Sequence, residues 1–315
     1  MKAAAIDHFG PPSAIRLREL PVPRPGPDEI LIRVEAAGVA SWDASIRDGS
    51  WRAGHRRFPL VLGTDGSGIV VAKGARVGRT PRVGERVYAY EFGNPKGGFY
   101  AQYATVKAAH AARVPRGIGR LQAGAAAPIA LTALQGIVDR LRLRRGETLL
   151  IFGASGAVGS LAVQFAKHRG ARVLATASGR RAASLVRRLG ADAVVDARRD
   201  GAVQRLWALA PDGIDAALAF AGGEALERCL DLLRAGGRVA HPNGIEPPPR
   251  RRRAIRRIAY DMEASPGRFA RLARSVARAP IRVPLAGVLP LGRAAEAHRR
   301  LARGGVAGAM VLRVR

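Results

Sequence analysis

The chain has one cysteine in 315 residues, five lysines among its 53 basic residues and only 5% aromatic side chains. A lone thiol, Cys229, forms no internal disulfide and supplies no multi-cysteine metal site. No uninterrupted run reaches the ~18 apolar residues that a membrane span needs. The start, Met1-Lys2-Ala3-Ala4-Ala5-Ile6-Asp7, meets an acid and then Gly10-Pro11-Pro12 too soon for a signal-peptide core. The expectation is a soluble cytoplasmic protein without membrane insertion. With 48% apolar and 24% charged residues, wholesale disorder, collagen-like repetition and a coiled coil are excluded. At roughly 150 residues per domain, the length suggests two domains.

Acids are scarce too: 24 Asp and Glu leave a formal net charge of +29. Basic faces bind nucleic-acid phosphates by counterion release. The arginines, however, are spread along the whole chain, and only Arg250-Arg251-Arg252-Arg253 forms a dense run, with Tyr260 the one aromatic nearby. A solvated basic surface is the preferred reading, and nucleic acid is a partner that is possible but not favoured. The charge favours anionic ligands, a phosphorylated cofactor included.

The first 120 residues read as β-rich. Short apolar runs such as Glu29–Ala36 and Gly68–Ala72 are separated by Pro and Gly clusters, and Val83–Tyr90 reads as a turn entering a strand. From about residue 122 the texture changes. An Ala- and Leu-rich helix over Gln122–Arg142 precedes strands at Leu149–Phe152, Arg172–Ala177, Ala193–Val195, Ala216–Phe220 and Arg238–Ala240. Helices fall between them at Val158–His168, Arg180–Leu189, Ala202–Ala210 and Ala225–Arg234. This alternation predicts an α/β fold with a doubly wound parallel sheet and its ligand crevice at the strands' C-terminal ends. Pro247–Arg253 reads as an exposed loop before an edge strand at Ile255–Tyr260. A helix over Gly267–Ala279 and a strand at Met310–Val314 close the chain and fold back onto the N-terminal domain.

The strongest chemical signal is Leu149-Leu150-Ile151-Phe152-Gly153-Ala154-Ser155-Gly156-Ala157-Val158-Gly159. A strand runs into glycines at spacing three, and a helix follows at once. Glycine lets backbone approach a pyrophosphate, and the helix N-terminus offers free N–H donors. The spacing is GxxGxxG, not GxGxxG. The second strand ends Ala175-Thr176-Ala177-Ser178-Gly179-Arg180-Arg181, without the acid that usually binds the ribose hydroxyls of NAD. A hydroxyl and two guanidinium groups suit the 2′-phosphate of NADPH.

These segments, with Ala162–Lys167, Leu62–Gly68, Val83–Tyr90, Leu131–Gly136 and Ala294–Leu312 in order, resemble the zinc-free medium-chain dehydrogenases/reductases, in the quinone oxidoreductase (zeta-crystallin-like) branch. The resemblance implies a β-rich, distorted-barrel (GroES-like) catalytic domain from residues 1–121 and 263–315. It also implies a nucleotide-binding domain over 122–262, an active site in the cleft between them and a homodimer. The implied reaction is zinc-independent hydride transfer from NADPH to a quinone or an α,β-unsaturated carbonyl compound. Cofactor contacts are expected at Thr132, Gly153, Ser155, Gly156, Ala157, Val158, Gly159, Ser178, Arg180, Arg181 and Asn243, with Thr132 at the family's position beside the nicotinamide.

The sequence departs from the family in several places. Gly63-Thr64-Asp65 stands where zinc-bearing relatives read Gly-His-Glu, so no metal is expected. Ala40, Ser45 and Ala197 replace a customary Asn, Tyr and Tyr, and the second-strand basic residue often falls near Ala182. Trp42, Asp43 and Tyr90 are pocket candidates, as are Trp51 and Phe92. Asp43 also reads as a helix cap. His168 reads as solvated or capping, and His241 as a residue that follows a strand. The competing readings are a non-catalytic NADPH sensor and an RNA-binding protein.

Overall fold

The structure is a computed structural model and describes residues 1–51 and 57–315. It divides into two compact units, Met1–Pro128 with Ala264–Arg278 and Leu285–Arg315, and Ile129–Glu263 with Ala279–Pro284.

The regular elements of the N-terminal stretch are mostly strands, as its punctuated apolar runs predict. In order come β1 (Lys2–Ile6), β2 (Arg16–Glu19), β3 (Glu29–Val39), helix α1 (Ser41–Asp48), β4 (Leu60–Val61), β5 (Asp65–Lys73), β6 (Arg86–Tyr90), β7 (Tyr103–Lys107) and β8 (Ala111–Arg113). Helix α2 (Arg120–Gln135) follows and ends in a π-turn over Gly136–Arg140. The second unit then alternates β9 (Thr148–Phe152), α3 (Ala157–His168), β10 (Arg172–Thr176), α4 (Arg180–Arg188), β11 (Ala193–Val195), α5 (Ala202–Leu209), β12 (Ile214–Ala219), α6 (Glu224–Leu230), β13 (Leu233–Pro242) and β14 (Arg256–Tyr260). The chain returns to the first unit through α7 (Pro266–Arg278), β15 (Leu285–Pro290), α8 (Ala294–Ala302) and β16 (Ala309–Arg313).

The second unit's sheet has the order β11-β10-β9-β12-β13-β14, and every neighbouring pair is parallel. Its central strands are buried on both faces, with Leu150, Leu174 and Ala217 in one core cluster, as helix-covered parallel strands require. The order reverses between β9 and β12, the switch point where such sheets bind ligands. In the first unit, β16 pairs antiparallel with β3 and parallel with β15, so the C-terminal strand does fold back into the N-terminal sheet.

Four elements differ from expectation. The helix expected over Gln122–Arg142 turns into a π-turn after Gln135, and in the last turn before it the Thr132 carbonyl accepts the Tyr260 hydroxyl at 3.0 Å. The helix expected over Ala225–Arg234 stops at Leu230. Leu233 already pairs with Ile214, and the left-handed Gly236 falls within the longer strand. Strand β15 and helix α8 were not assigned from the sequence. β15 is a largely exposed edge bounded by Pro284 and Pro290, and proline weakens any strand signal. The segment Arg120–Arg140 is long and apolar enough by composition to cross a membrane, but 83% of its apolar window is buried inside the protein.

Helix α3 lies directly on the turn after β9. A Cβ built on Gly159 would stand 2.3 Å from the Gly153 carbonyl oxygen and 2.8 Å from the Ala154 Cα, both backbone atoms that cannot swing aside. Gly159→Val is therefore expected to cost about 2–3 kcal/mol by overpacking and to lower the melting temperature by on the order of 5–10 °C. Thermal unfolding by circular dichroism measures it, and an unchanged midpoint would contradict the close-packing account.

Candidate functional site

The β9–α3 turn is held from the neighbouring strand. Gly153 takes a left-handed φ of +80°, and its N–H donates to the Thr176 hydroxyl at 2.9 Å while the Ala154 N–H donates to the Thr176 carbonyl at 3.0 Å. Gly156 caps α3, and its own N–H donates to the Gly153 carbonyl. Ser155, Gly156, Ala157 and Val158 are partly exposed. The first N–H groups of a helix have no intrahelical acceptor, so they point at whatever occupies the space ahead of them.

The two helix-start glycines have different jobs. Gly159 is needed for packing, whereas a Cβ on Gly156 would meet only the Gly153 oxygen, at 3.5 Å. Space in front of Gly156 is thus open on the protein side. An open, donor-lined cradle at the switch point fits a dinucleotide pyrophosphate.

The second unit gathers the other expected cofactor positions at the C-terminal ends of its strands. Ser178, Arg180 and Arg181 follow β10, with both arginines exposed at the start of α4. Ser178 donates its hydroxyl to Asp196 at 3.1 Å, an acid that follows β11. Asn243 follows β13 and donates to Asp261 at 2.9 Å. Thr132 is buried in α2. His241, buried on β13, donates through Nδ1 to the Pro242 carbonyl at 3.1 Å, and burial lowers its pKa. His168 is exposed at the end of α3. Arg252 of the dense basic run pairs with Glu227 at 2.6 Å and Asp231 at 3.0 Å, so part of that run is neutralised by protein acids.

Within the first unit the pocket candidates have protein partners. Trp42 donates Nε1–H to the Thr64 hydroxyl at 2.7 Å, Trp51 and Phe92 pack with their ring centres 4.7 Å apart and their planes tilted by 41°, and Tyr90 lies half-buried on β6. Asp43 is fully buried. It does act as a cap, with Oδ2 accepting the Ala40 N–H at 2.9 Å across the first turn of α1.

Asp43 is also the end of a chain of hydrogen bonds that the sequence did not reveal. Arg47 donates from Nε to the Gly10 carbonyl at 2.8 Å and from Nη1 to His298 Nδ1 at 3.0 Å. With Nδ1 an acceptor, the proton of the neutral ring sits on Nε2 and is donated to the Tyr100 oxygen at 3.3 Å. Tyr100 in turn donates to Asp43 at 3.1 Å. Burial pushes the Asp43 carboxyl up to about 7, against the lowering by the Ala40, Tyr100 and Thr64 donors. Burial, reinforced by the Asp43 charge, also raises Asp65 well above its ordinary value. His298 is pushed down to about 4, first by burial and then by Arg47. Arg47, Tyr100 and His298 are far apart in sequence, and nothing in the Leu62–Gly68 segment signals the burial of Asp65 beside Asp43. Only their common burial exposes the network.

The donor set does not fit a zinc ion. Thr64 is a neutral hydroxyl engaged by Trp42, and Asp65 is buried with its pKa raised. Cys229 lies in the core of the second unit with its thiol pushed up to about 11 by burial. Among the described residues no three His, Cys, Asp or Glu side chains gather to hold a metal.

Comparison with known proteins agrees with this layout. Residues 26–116 match the alcohol dehydrogenase GroES-like domain, and residues 157–242 match the zinc-binding dehydrogenase domain. The chain is 28% identical to quinone oxidoreductase of Mus musculus over 327 aligned positions, covering 99% of this chain and 97% of that protein. Among solved structures, an NAD-dependent alcohol dehydrogenase superposes with a TM-score of 0.92 at 30% identity, with complete coverage of both chains. The mycobacterial protein Rv1454c, solved with NADPH, superposes at 0.88 with 29% identity and complete coverage of both chains.

The buried network makes stability depend on pH with a calculable sign. A histidine at about 4 when folded and near 6.5 when unfolded binds fewer protons in the native state. Its contribution is complete above pH 6.5 and is lost as pH falls toward 4. Asp43, raised to about 7, acts oppositely and favours the folded state at low pH. His298→Ala is therefore expected to destabilise most at pH 7.5, with the cost shrinking by about 2–3 kcal/mol at pH 4.5. Urea unfolding of both proteins at the two pH values checks this, and an equal cost at both would count against a neutral buried His298.

Proposed function

The chain belongs to the medium-chain dehydrogenase/reductase family, in its quinone oxidoreductase branch, and from that premise we propose an NADPH-dependent, zinc-independent reductase of quinones or α,β-unsaturated carbonyl compounds. The observation that carries this reading is the open cradle before Gly156, set at the N-terminus of α3 and at the point where the strand order reverses.

The donors of the α3 N-terminus hold the pyrophosphate, and the glycine at 156 keeps a side chain out of its path. Arg180 and Arg181, with Ser178, face the adenosine end, and the guanidinium groups bind the 2′-phosphate by charge-assisted hydrogen bonds. Thr132 stands beside the nicotinamide, and Asn243 contributes at the end of β13. When bound, the nicotinamide supplies the hydride. The chain itself supplies orientation, which alone accounts for a large share of the rate in such reactions. The quinone oxidoreductase relative and the NADPH-bound structure support substrate class and cofactor. The NAD-dependent alcohol dehydrogenase of similar fold supports the competing class, alcohol oxidation.

Two measurements test the reading. Steady-state oxidation of NADPH and NADH against quinones, enals and enones, with reduction of NAD(P)⁺ by simple alcohols as the reverse arm, is expected to show turnover on quinones or enones. Calorimetry is expected to show tighter binding of NADPH than of NADH. Turnover confined to alcohols would overturn the substrate class, and binding without any turnover would favour a sensor. Gly156→Val separates the cradle from a packing role. It is expected to keep the melting temperature and weaken NADPH about thirtyfold, on the order of 2 kcal/mol. Unchanged affinity with a large loss of stability would defeat the nucleotide reading of this turn.

A further inference from the structure

The second strand of the parallel sheet ends without an acid, but the fold brings one to it from the third. β10 and β11 run parallel, with Thr176 opposite Val195, so the residues that follow the two strands emerge side by side. The Ala177 N–H donates to the Val195 carbonyl at 3.1 Å, and the next residue on β11's side is Asp196. Its Oδ1 accepts the Ser178 hydroxyl at 3.1 Å and the Arg198 N–H at 3.2 Å, and its Oδ2 accepts the Gly179 N–H at 3.3 Å. Arg199 lies 3.9 Å from Oδ2, and the carboxylate remains 22% exposed. Three protein donors thus hold a carboxylate at the place where the second strand of an NAD-binding sheet usually presents its own.

We propose that Asp196 is a specificity-determining residue that limits the preference of this site for NADPH over NADH, standing in for the acid missing from β10. The proposal rests on the nicotinamide reading above. Its physical basis has three parts. Ser178 has one hydroxyl proton, and while that proton is given to Asp196 it is not available to a phosphate oxygen. A 2′-phosphate that reaches Ser178 also comes to rest beside a fixed charge of its own sign. A ribose 2′-hydroxyl, by contrast, can donate to the carboxylate. Arg180 and Arg181 pull the other way, so the cofactor preference is a balance between two guanidinium groups and one carboxylate.

Asp196→Asn tests this with the shape conserved. The asparagine oxygen still accepts a backbone N–H, while its amide donates to the Ser178 oxygen and releases the serine proton. Calorimetry of the whole protein with 2′,5′-ADP and 5′-AMP, which carry the two ribose ends without nicotinamide, reads the effect. The variant is expected to bind 2′,5′-ADP about tenfold more tightly and 5′-AMP no more tightly than the wild type, with the 2′,5′-ADP gain shrinking at high salt. Asp196→Ala, which removes the anchor as well as the charge, is expected to raise the 2′,5′-ADP to 5′-AMP affinity ratio in the same direction. If both probes bind but their ratio is the same in wild type and Asp196→Asn, Asp196 only shapes the loop and the proposal fails alone. If neither probe binds any of the proteins, the nicotinamide reading itself fails and the proposal falls with it.

Discussion

Backbone meets backbone where α3 sits on the turn after β9, and the rest of the second unit is arranged around that contact. A methyl group at Gly159 would fall 2.3 Å from the Gly153 oxygen, so the helix can lie this close only if residue 159 has no side chain. The turn is fixed in turn by Thr176 of β10, whose hydroxyl and carbonyl each accept an N–H from Gly153–Ala154. One central strand, its neighbour and the helix are therefore locked as a unit. The N-terminus of α3 is aimed past Gly156 as a consequence of that packing. The proposed anion cradle costs the fold nothing extra, because it is the open side of a contact needed for stability.

The first unit solves a different problem, the burial of polar groups. Asp43, Tyr100, His298 and Arg47 are each nearly or fully excluded from solvent. Such groups are tolerable only when each finds a partner. Here the donors and acceptors run one way, from guanidinium to imidazole to phenol to carboxylate, and this direction requires a neutral histidine. The chain links α1 to α8 through the segment that carries Tyr100, so the C-terminal helix is tied to the N-terminal one by chemistry as well as by apolar contact.

The excess of arginine has less functional content than its size suggests. Arg238 bridges Glu147 at 2.6 Å, Arg252 bridges Glu227 and Asp231, and Arg86 pairs with the buried Glu35 at 3.0 Å. These guanidinium groups organise local structure, whereas Arg180 and Arg181 stand exposed beside a position where phosphate binding is expected. Position relative to the strand ends, not the count, separates the two kinds.

The parallel sheet, the glycine turn and the return of the C-terminal strand were all legible in the sequence. Each rests on local pattern: alternating strand and helix, glycines at spacing three between them, and a terminal apolar run. The distinct tasks of Gly156 and Gly159 were not, since only the packing of the folded turn shows which one faces backbone and which faces open space. The Tyr260 hydroxyl meets the Thr132 carbonyl of α2 across 128 residues of sequence. The network around Asp43 spans residues 43 to 298, and Asp196 meets Ser178 only because β10 and β11 are neighbours in the sheet. Periodicity and spacing report what a residue does within its own element. Which polar groups share one buried space, and which acid stands beside which hydroxyl, was decided by tertiary structure alone, because those pairings are set by strand order and helix packing rather than by distance along the chain.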